Sequence, residues 1–167
     1  MTTDAVELRI ADGVATVTLN RPDARNAIDV DTAGVLVDRF ETIAESDARC
    51  VVVEGAGDAF CAGGDIEAMV EGVANEVPPA DRVEHAAVAI NDAIEAVYDC
   101  RLPVVATVDG AAVGAGAGLA LACDVQLASP TAKLGFGFRR VGLAVDSGIS
   151  YFLPRLVGPN KAKELVF

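Results

Sequence analysis

Pro103-Val104-Val105-Ala106-Thr107-Val108-Asp109-Gly110 is a short apolar run opened by Pro and closed by Asp-Gly, and glycines at 114, 116 and 118 follow it. A near-continuous apolar run bounded this way reads as a strand buried on both faces. The small residues from Gly110 to Gly118 then lead into a helix over Leu119–Ala122. The same grammar occurs earlier. Cys50 to Glu54 is a buried-type strand, Gly55 to Gly64 a glycine-rich connection, and a short helix starts at Asp65. Two strand-to-helix turns of one kind predict an α/β domain with parallel pairing in its core.

Outward from these turns, Val6–Ile10 and Val14–Leu19 alternate at period two around Asp12-Gly13, which predicts a hairpin. Asn20 to Asn26 is a loop, and Asp31 is placed to cap a helix carrying Val35, Leu36, Phe40 and Ile43. Glu71 to Asp81, with Pro78-Pro79, lacks periodicity and reads as a mobile surface segment. Val83, Ala87, Ile90, Ile94 and Val97 mark an amphipathic helix from Arg82 to Tyr98, on which His85, the only histidine, is expected in solvent. Val125–Ala128 reads as another buried strand. Asn160–Phe167 reads as a helix ending on Leu-Val-Phe with no capping residue, so a single domain over 1–167 is expected, either truncated before a C-terminal helical region or docking its last helix on something absent here.

Composition narrows the partners. The 167 residues, 52% hydrophobic, suffice for one sizeable core. No apolar run approaches the ~20 residues of a membrane span, and Met1-Thr2-Thr3-Asp4 lacks the basic and apolar regions of a secretory signal, so a cytoplasmic location is expected. The formal charge of −12, with three lysines among thirteen basic residues, repels nucleic acid and anionic membranes and suits a salt-rich cytoplasm. Cys50, Cys61, Cys100 and Cys123 form no CxxC pair and lie far from His85, which argues against disulfide or metal roles.

Chemistry is expected at the two turns. Backbone N–H groups at a helix start lack intrahelical acceptors and can face an anion, and Gly or Ala lets a ligand come close. Gly114-Ala115-Gly116-Ala117-Gly118 departs from the dinucleotide pattern GxGxxG, and taken alone it fits close helix–sheet packing as well. Two such turns in one domain suggest donors converging on one oxygen.

Four segments in register then resemble the crotonase (enoyl-CoA hydratase/isomerase) family: Leu19-Asn-Arg-Pro-Asp-Ala-Arg-Asn-Ala27, Ala59-Phe-Cys-Ala-Gly-Gly-Asp-Ile66, Pro103 to Gly110, and Gly114 to Asp124. The resemblance covers nearly the whole chain. It implies the crotonase-like (ClpP/crotonase) α/β fold, a spiral of repeated ββα units, binding an acyl-CoA thioester in which coenzyme A is part of the substrate. No further cofactor and no metal are implied. By the family pattern the amides of Gly64 and Ala115 form an oxyanion hole, and Ala24, Arg25, Ala62, Asp65 and Ile66 line the CoA pocket. The family's members commonly form trimers through C-terminal helices. Proton removal beside a thioester makes an enolate, and each preorganised N–H aimed at its oxygen is worth roughly 3–4 kcal/mol.

The chain also departs from the hydratase pattern. The positions of the two glutamates that activate water in hydratases fall on Gly118 and Phe138, neither of which can accept a proton. Both substitutions are expected to leave the acyl pocket apolar and roomy. Asp146, in Gly142-Leu-Ala-Val-Asp146-Ser-Gly-Ile-Ser, is the replacement candidate, because isomerase-like members resemble it in moving a proton with a carboxylate from this segment. Asp146 also suits a plain helix N-cap, and for Asp65 the cap is the favoured role. Arg139-Arg140 could pair with CoA phosphates or with surface acids, and the surface is the favoured reading. An enoyl-CoA isomerase is therefore expected, with a hydratase and a non-catalytic acyl-CoA-binding subunit as alternatives.

Overall fold

The computed structural model describes residues 5–167, apart from the side chains at 71–73, 79 and 82–85, so the solvation expected of His85 lies outside the described residues. The chain opens with strands β1 (Val6–Ala11) and β2 (Val14–Leu19), paired antiparallel through Asp12 and Gly13, both at positive φ as a tight two-residue hairpin requires. Helix α1 (Val30–Ala44) follows and buries Leu36, Phe40 and Ile43, each side chain contributing about 1.5–3 kcal/mol. Its N-cap is Asp29, whose carboxylate accepts from the Thr32 amide, and not the expected Asp31. Asp31 is already inside the first turn, where an acidic side chain still favours the helix dipole.

Three further units repeat a two-strand theme. They are β3 (Cys50–Gly55) with β4 (Ala59–Cys61), β5 (Val104–Val108) with β6 (Ala111–Val113), and β7 (Val125–Ala128) with β8 (Lys133–Gly135). The first strand of each joins a five-stranded sheet of order β1-β2-β3-β5-β7, and the second joins a three-stranded sheet of order β4-β6-β8. Among the described residues every strand-to-strand pairing after the hairpin is parallel, and one isolated antiparallel bridge joins Ala59 to Gly110. Helices α2 (Ile66–Ala74) and α3 (Pro79–Tyr98) follow β4, and α4 (Ala115–Ala122) follows β6. The chain folds as the expected ββα repeat.

Several expectations change. The segment from 71 to 81 is mostly helical: α2 runs to Ala74 and α3 begins at Pro79. A proline at a first helical position needs no N–H there and its fixed φ suits the turn, so Pro78-Pro79 starts a helix where a breaker was expected. Helix α4 begins at Ala115, four residues before the expected Leu119, because β6 ends at Val113 and only Gly114 separates them. β7 is an edge strand, with Val125 49% and Leu127 58% exposed, so an apolar run there does not mean burial.

The main core lies between the large sheet and α1, α3 and α4 and holds Val17, Val51, Val53, Phe60, Ala106 and Leu119. A smaller cluster of Ala117, Phe138, Ile149, Leu153 and Ala162 joins α4 to α5 (Ile149–Val157) and α6 (Pro159–Val166). That cluster anchors the segment from 142 to 148 against α4.

Candidate active site

The site begins with the ladder between Ile28 and Gly64. The Ile28 amide donates to the Gly63 carbonyl at 2.8 Å, and the Asp65 amide donates to the Ile28 carbonyl at 3.0 Å. In a parallel bridge of this kind Ile28 uses the residues flanking Gly64, which leaves Gly64's own N–H directed away from Ile28. On that other side lie β6 and the start of α4, for β4 pairs with β6. Ala115 is the first residue of α4, so its N–H has no acceptor within the helix. Among the described residues, neither amide donates to a backbone acceptor.

Two glycines lock the turns together. A Cβ on Gly63, at φ +99°, would sit 2.6 Å from the Val113 carbonyl oxygen and 3.4 Å from the Ala115 nitrogen. A Cβ on Gly116 would collide with the Cys61 carbonyl. Each turn thus reaches into the backbone of the other. Asn26, buried and left-handed at φ 57°, supports this floor: its Nδ2 donates to the carbonyls of Ala56 and Ala59, and its Oδ1 accepts from the Arg21 amide.

Gly64 and Ala115 line one cavity of about 620 Å³. Ile66, Met69, Ile90 and Phe138 make much of its apolar wall, and Asp65 and Asp146 also border it. Ala24, Arg25 and Ala62 do not line this cavity among the described residues. The Ala62 amide donates to the Arg25 carbonyl at 2.9 Å. Gly118 is likewise absent from the wall, contrary to the roominess expected there. It is buried in α4, and a Cβ at this position would collide with the Ser147 carbonyl. The segment bearing Asp146 therefore packs directly onto this face of α4.

Asp146 is placed by its neighbours. Ser147 and Gly148 are both left-handed, at φ 54° and 72°, and the buried Ser147 hydroxyl donates to Asp146 Oδ1 at 2.8 Å. Ser147 is the only side-chain partner of this carboxylate among the described residues. The helix-cap alternative fails, because α5 takes Gly148 as its cap and receives no side-chain bond there. Asp65 does cap: its Oδ1 accepts from the amides of Glu67 and Ala68, and its Oδ2 meets Arg21 Nη2 at 3.0 Å. Arg139 and Arg140 are exposed on the turn of residues 137–141 and form no ion pair among the described residues, so the expected pairing with surface acids is absent.

Asp29, Met69 and Ile90 were not singled out as wall residues from the sequence, although Ile90 belongs to the apolar stripe read for α3. For Asp29, burial works against the charged form, but hydrogen bonds from Thr32 and the Arg21 charge outweigh it and hold the carboxyl below its ordinary pKa. Cys61 is buried beneath the Gly63 amide, and burial pushes its thiol up to about 12, which leaves it an inert core group. Among the described residues no three His, Cys, Asp or Glu side chains gather as a metal site, and no helix is long and apolar enough to cross a membrane.

Known proteins are similar to this chain in sequence and fold. Residues 9–167 match the family model described as Enoyl-CoA hydratase/isomerase. A "probable enoyl-CoA hydratase" of Mycobacterium tuberculosis is 41% identical over 163 residues, covering 96% of this chain and 60% of that protein. One of Rhodobacter capsulatus with the same description is 37% identical over 97% of this chain and 60% of its own length. The crystal structure of an enoyl-CoA hydratase from Bacillus anthracis superposes with a TM-score of 0.88 at 32% identity, covering 97% of this chain and 62% of that one. The chain thus spans about 60% of the length of these relatives. The spiral of ββα units and a family match over almost every residue agree: this chain belongs to the enoyl-CoA hydratase/isomerase (crotonase) family, with its crotonase-like fold.

Proposed function

We propose that this chain processes acyl-CoA thioesters by holding the thioester oxygen between the amides of Gly64 and Ala115, and that its reaction is double-bond isomerisation with Asp146 as the proton shuttle. The observation that carries the reading is the pairing of two unengaged amides with one carboxylate on the wall of a single, mostly apolar cavity. Asp146 would take a proton from the α-carbon of a 3-enoyl thioester. The electron pair moves onto the thioester oxygen as a dienolate, which the two N–H groups stabilise. The same carboxylic acid then returns the proton to the γ-carbon, giving the 2-enoyl thioester with no net change in protons. The apolar wall of Ile66, Met69, Ile90 and Phe138 would receive the acyl chain and keep water from the dienolate.

Water addition is the second reading, favoured by the names of the relatives, most of which say hydratase. Against it stand Phe138, an apolar ring on the wall, and Gly118, pressed against Ser147, at the positions of the paired glutamates. A test offers purified protein 3-enoyl-CoA and 2-enoyl-CoA in turn. Isomerisation that falls about 10³-fold in Asp146→Asn, with acyl-CoA binding retained, supports the shuttle. Rapid hydration of 2-enoyl-CoA that persists in Asp146→Asn contradicts it.

A further inference from the structure

Arg21 lies in the loop after β2, away from both glycine turns in sequence, yet its guanidinium joins three groups around the Ile28–Gly64 bridge. Nη1 donates to the Ala27 carbonyl at 2.6 Å and meets Asp29 Oδ2 at 3.0 Å, and Nη2 meets Asp65 Oδ2 at 3.0 Å. Asp29 caps α1, Asp65 caps α2, and both border the cavity. Ala27 and Asp29 flank Ile28 on one side of the bridge, and Asp65 follows Gly64 on the other. One cation therefore fastens both strands of the short ladder whose geometry sets the direction of the Gly64 N–H.

We infer that Arg21 is a positioning residue for the Gly64 amide, acting through Asp65. The inference rests on the reading that this amide binds the thioester oxygen. The planar fork of a guanidinium can meet two carboxylates and a carbonyl at once, whereas a lysine ammonium is a point charge on a flexible stem and cannot hold the same span. The network is only partly exposed, the Arg21 and Asp65 side chains at 26% and 13%, so its geometry is shielded from competing water. Breaking it leaves Gly64 in the cavity wall with a less fixed N–H. A small misplacement of that donor weakens transition-state binding far more than it weakens binding of the CoA portion.

The test compares wild type, Arg21→Gln, Arg21→Lys, Asp65→Asn and the double variant Arg21→Gln/Asp65→Asn. Asparagine keeps the cap of α2 while removing the ion pair, so Asp65→Asn answers the question even if Arg21→Gln folds poorly. Two readouts are taken: deuterium exchange at the α-carbon of butyryl-CoA, and the infrared carbonyl stretch of the bound thioester. Each single variant is expected to lower the exchange rate at saturation about tenfold, with KM changed less than about threefold and part of the carbonyl red shift lost. Arg21→Lys should recover little of this, and the double variant should lose no more than the single ones. Unchanged exchange and carbonyl frequency in Arg21→Gln or Asp65→Asn, or losses that multiply in the double variant, overturn the inference while leaving the oxyanion reading intact. Wild-type protein with neither exchange nor a carbonyl shift defeats both together.

Discussion

The two sides of the cavity are built by opposite means. The floor, made by the two turns that carry Gly64 and Ala115, is backbone held against backbone, with Gly63 and Gly116 allowing contacts that no Cβ would permit. The outer wall, made by α2 and the segment from 138 to 147, is side chain facing open space, with Ile66 at 52%, Val70 at 61% and Val141 at 56% exposure. A floor of peptide groups would offer the same two proposed donors to any thioester, whereas a wall of loosely packed side chains can vary in shape at little cost to the fold. On this reading the floor sets the chemistry and the wall sets the acyl group.

Substitutions on each side sharpen that contrast. Gly116→Val drives a side chain into the Cys61 carbonyl and should separate the turns. A loss of about 3 kcal/mol is expected, seen as a fall in Tm of roughly 6–12 °C, together with loss of activity toward every acyl-CoA. Gly118→Glu replaces a hydrogen at the Ser147 carbonyl with a carboxylate side chain. It should cost about 1–3 kcal/mol in urea unfolding and displace Asp146, with no gain in 2-enoyl-CoA hydration. Val70→Ala, on the open wall, should change stability by less than about 0.5 kcal/mol. Its effect should instead be a several-fold shift in kcat/KM between short and long acyl chains, read from parallel assays. A Val70→Ala variant that lowers activity equally on all chain lengths would erase the distinction between the two sides.

Much of this was legible in the sequence, and the failures have physical causes. Asp12-Gly13 specified the hairpin because the turn demands positive φ at both residues, and both adopt it. β4, β6 and β8 were invisible because three residues cannot display a period. β7 was read as buried because an apolar run does not reveal which strand lies at the edge. Asp29 and Asp31 are equally good caps on paper, and only the Thr32 bond separates them. At the site, the two strand-to-helix turns are legible as local motifs, whereas the choice of Gly64 and Ala115 within them comes from the family resemblance. Asp146 could be proposed, but its release from capping depends on Gly148 taking that place. Arg21 gave no signal of its role, since it reaches Asp65 across 44 positions and meets the main-chain Ala27 carbonyl, which no side-chain pattern encodes.

The most direct test of the account removes one donor from the floor. Proline is tolerated at the first position of a helix, where its missing N–H breaks no helical bond, and that position is Ala115. The measurement is α-carbon deuterium exchange into an acyl-CoA, wild type against Ala115→Pro, with circular dichroism and Tm followed alongside. A fall of about 10²–10³-fold in the exchange rate, with the fold retained, is the predicted result. Exchange at the wild-type rate in a folded Ala115→Pro protein would contradict the claim that this amide holds the enolate oxygen.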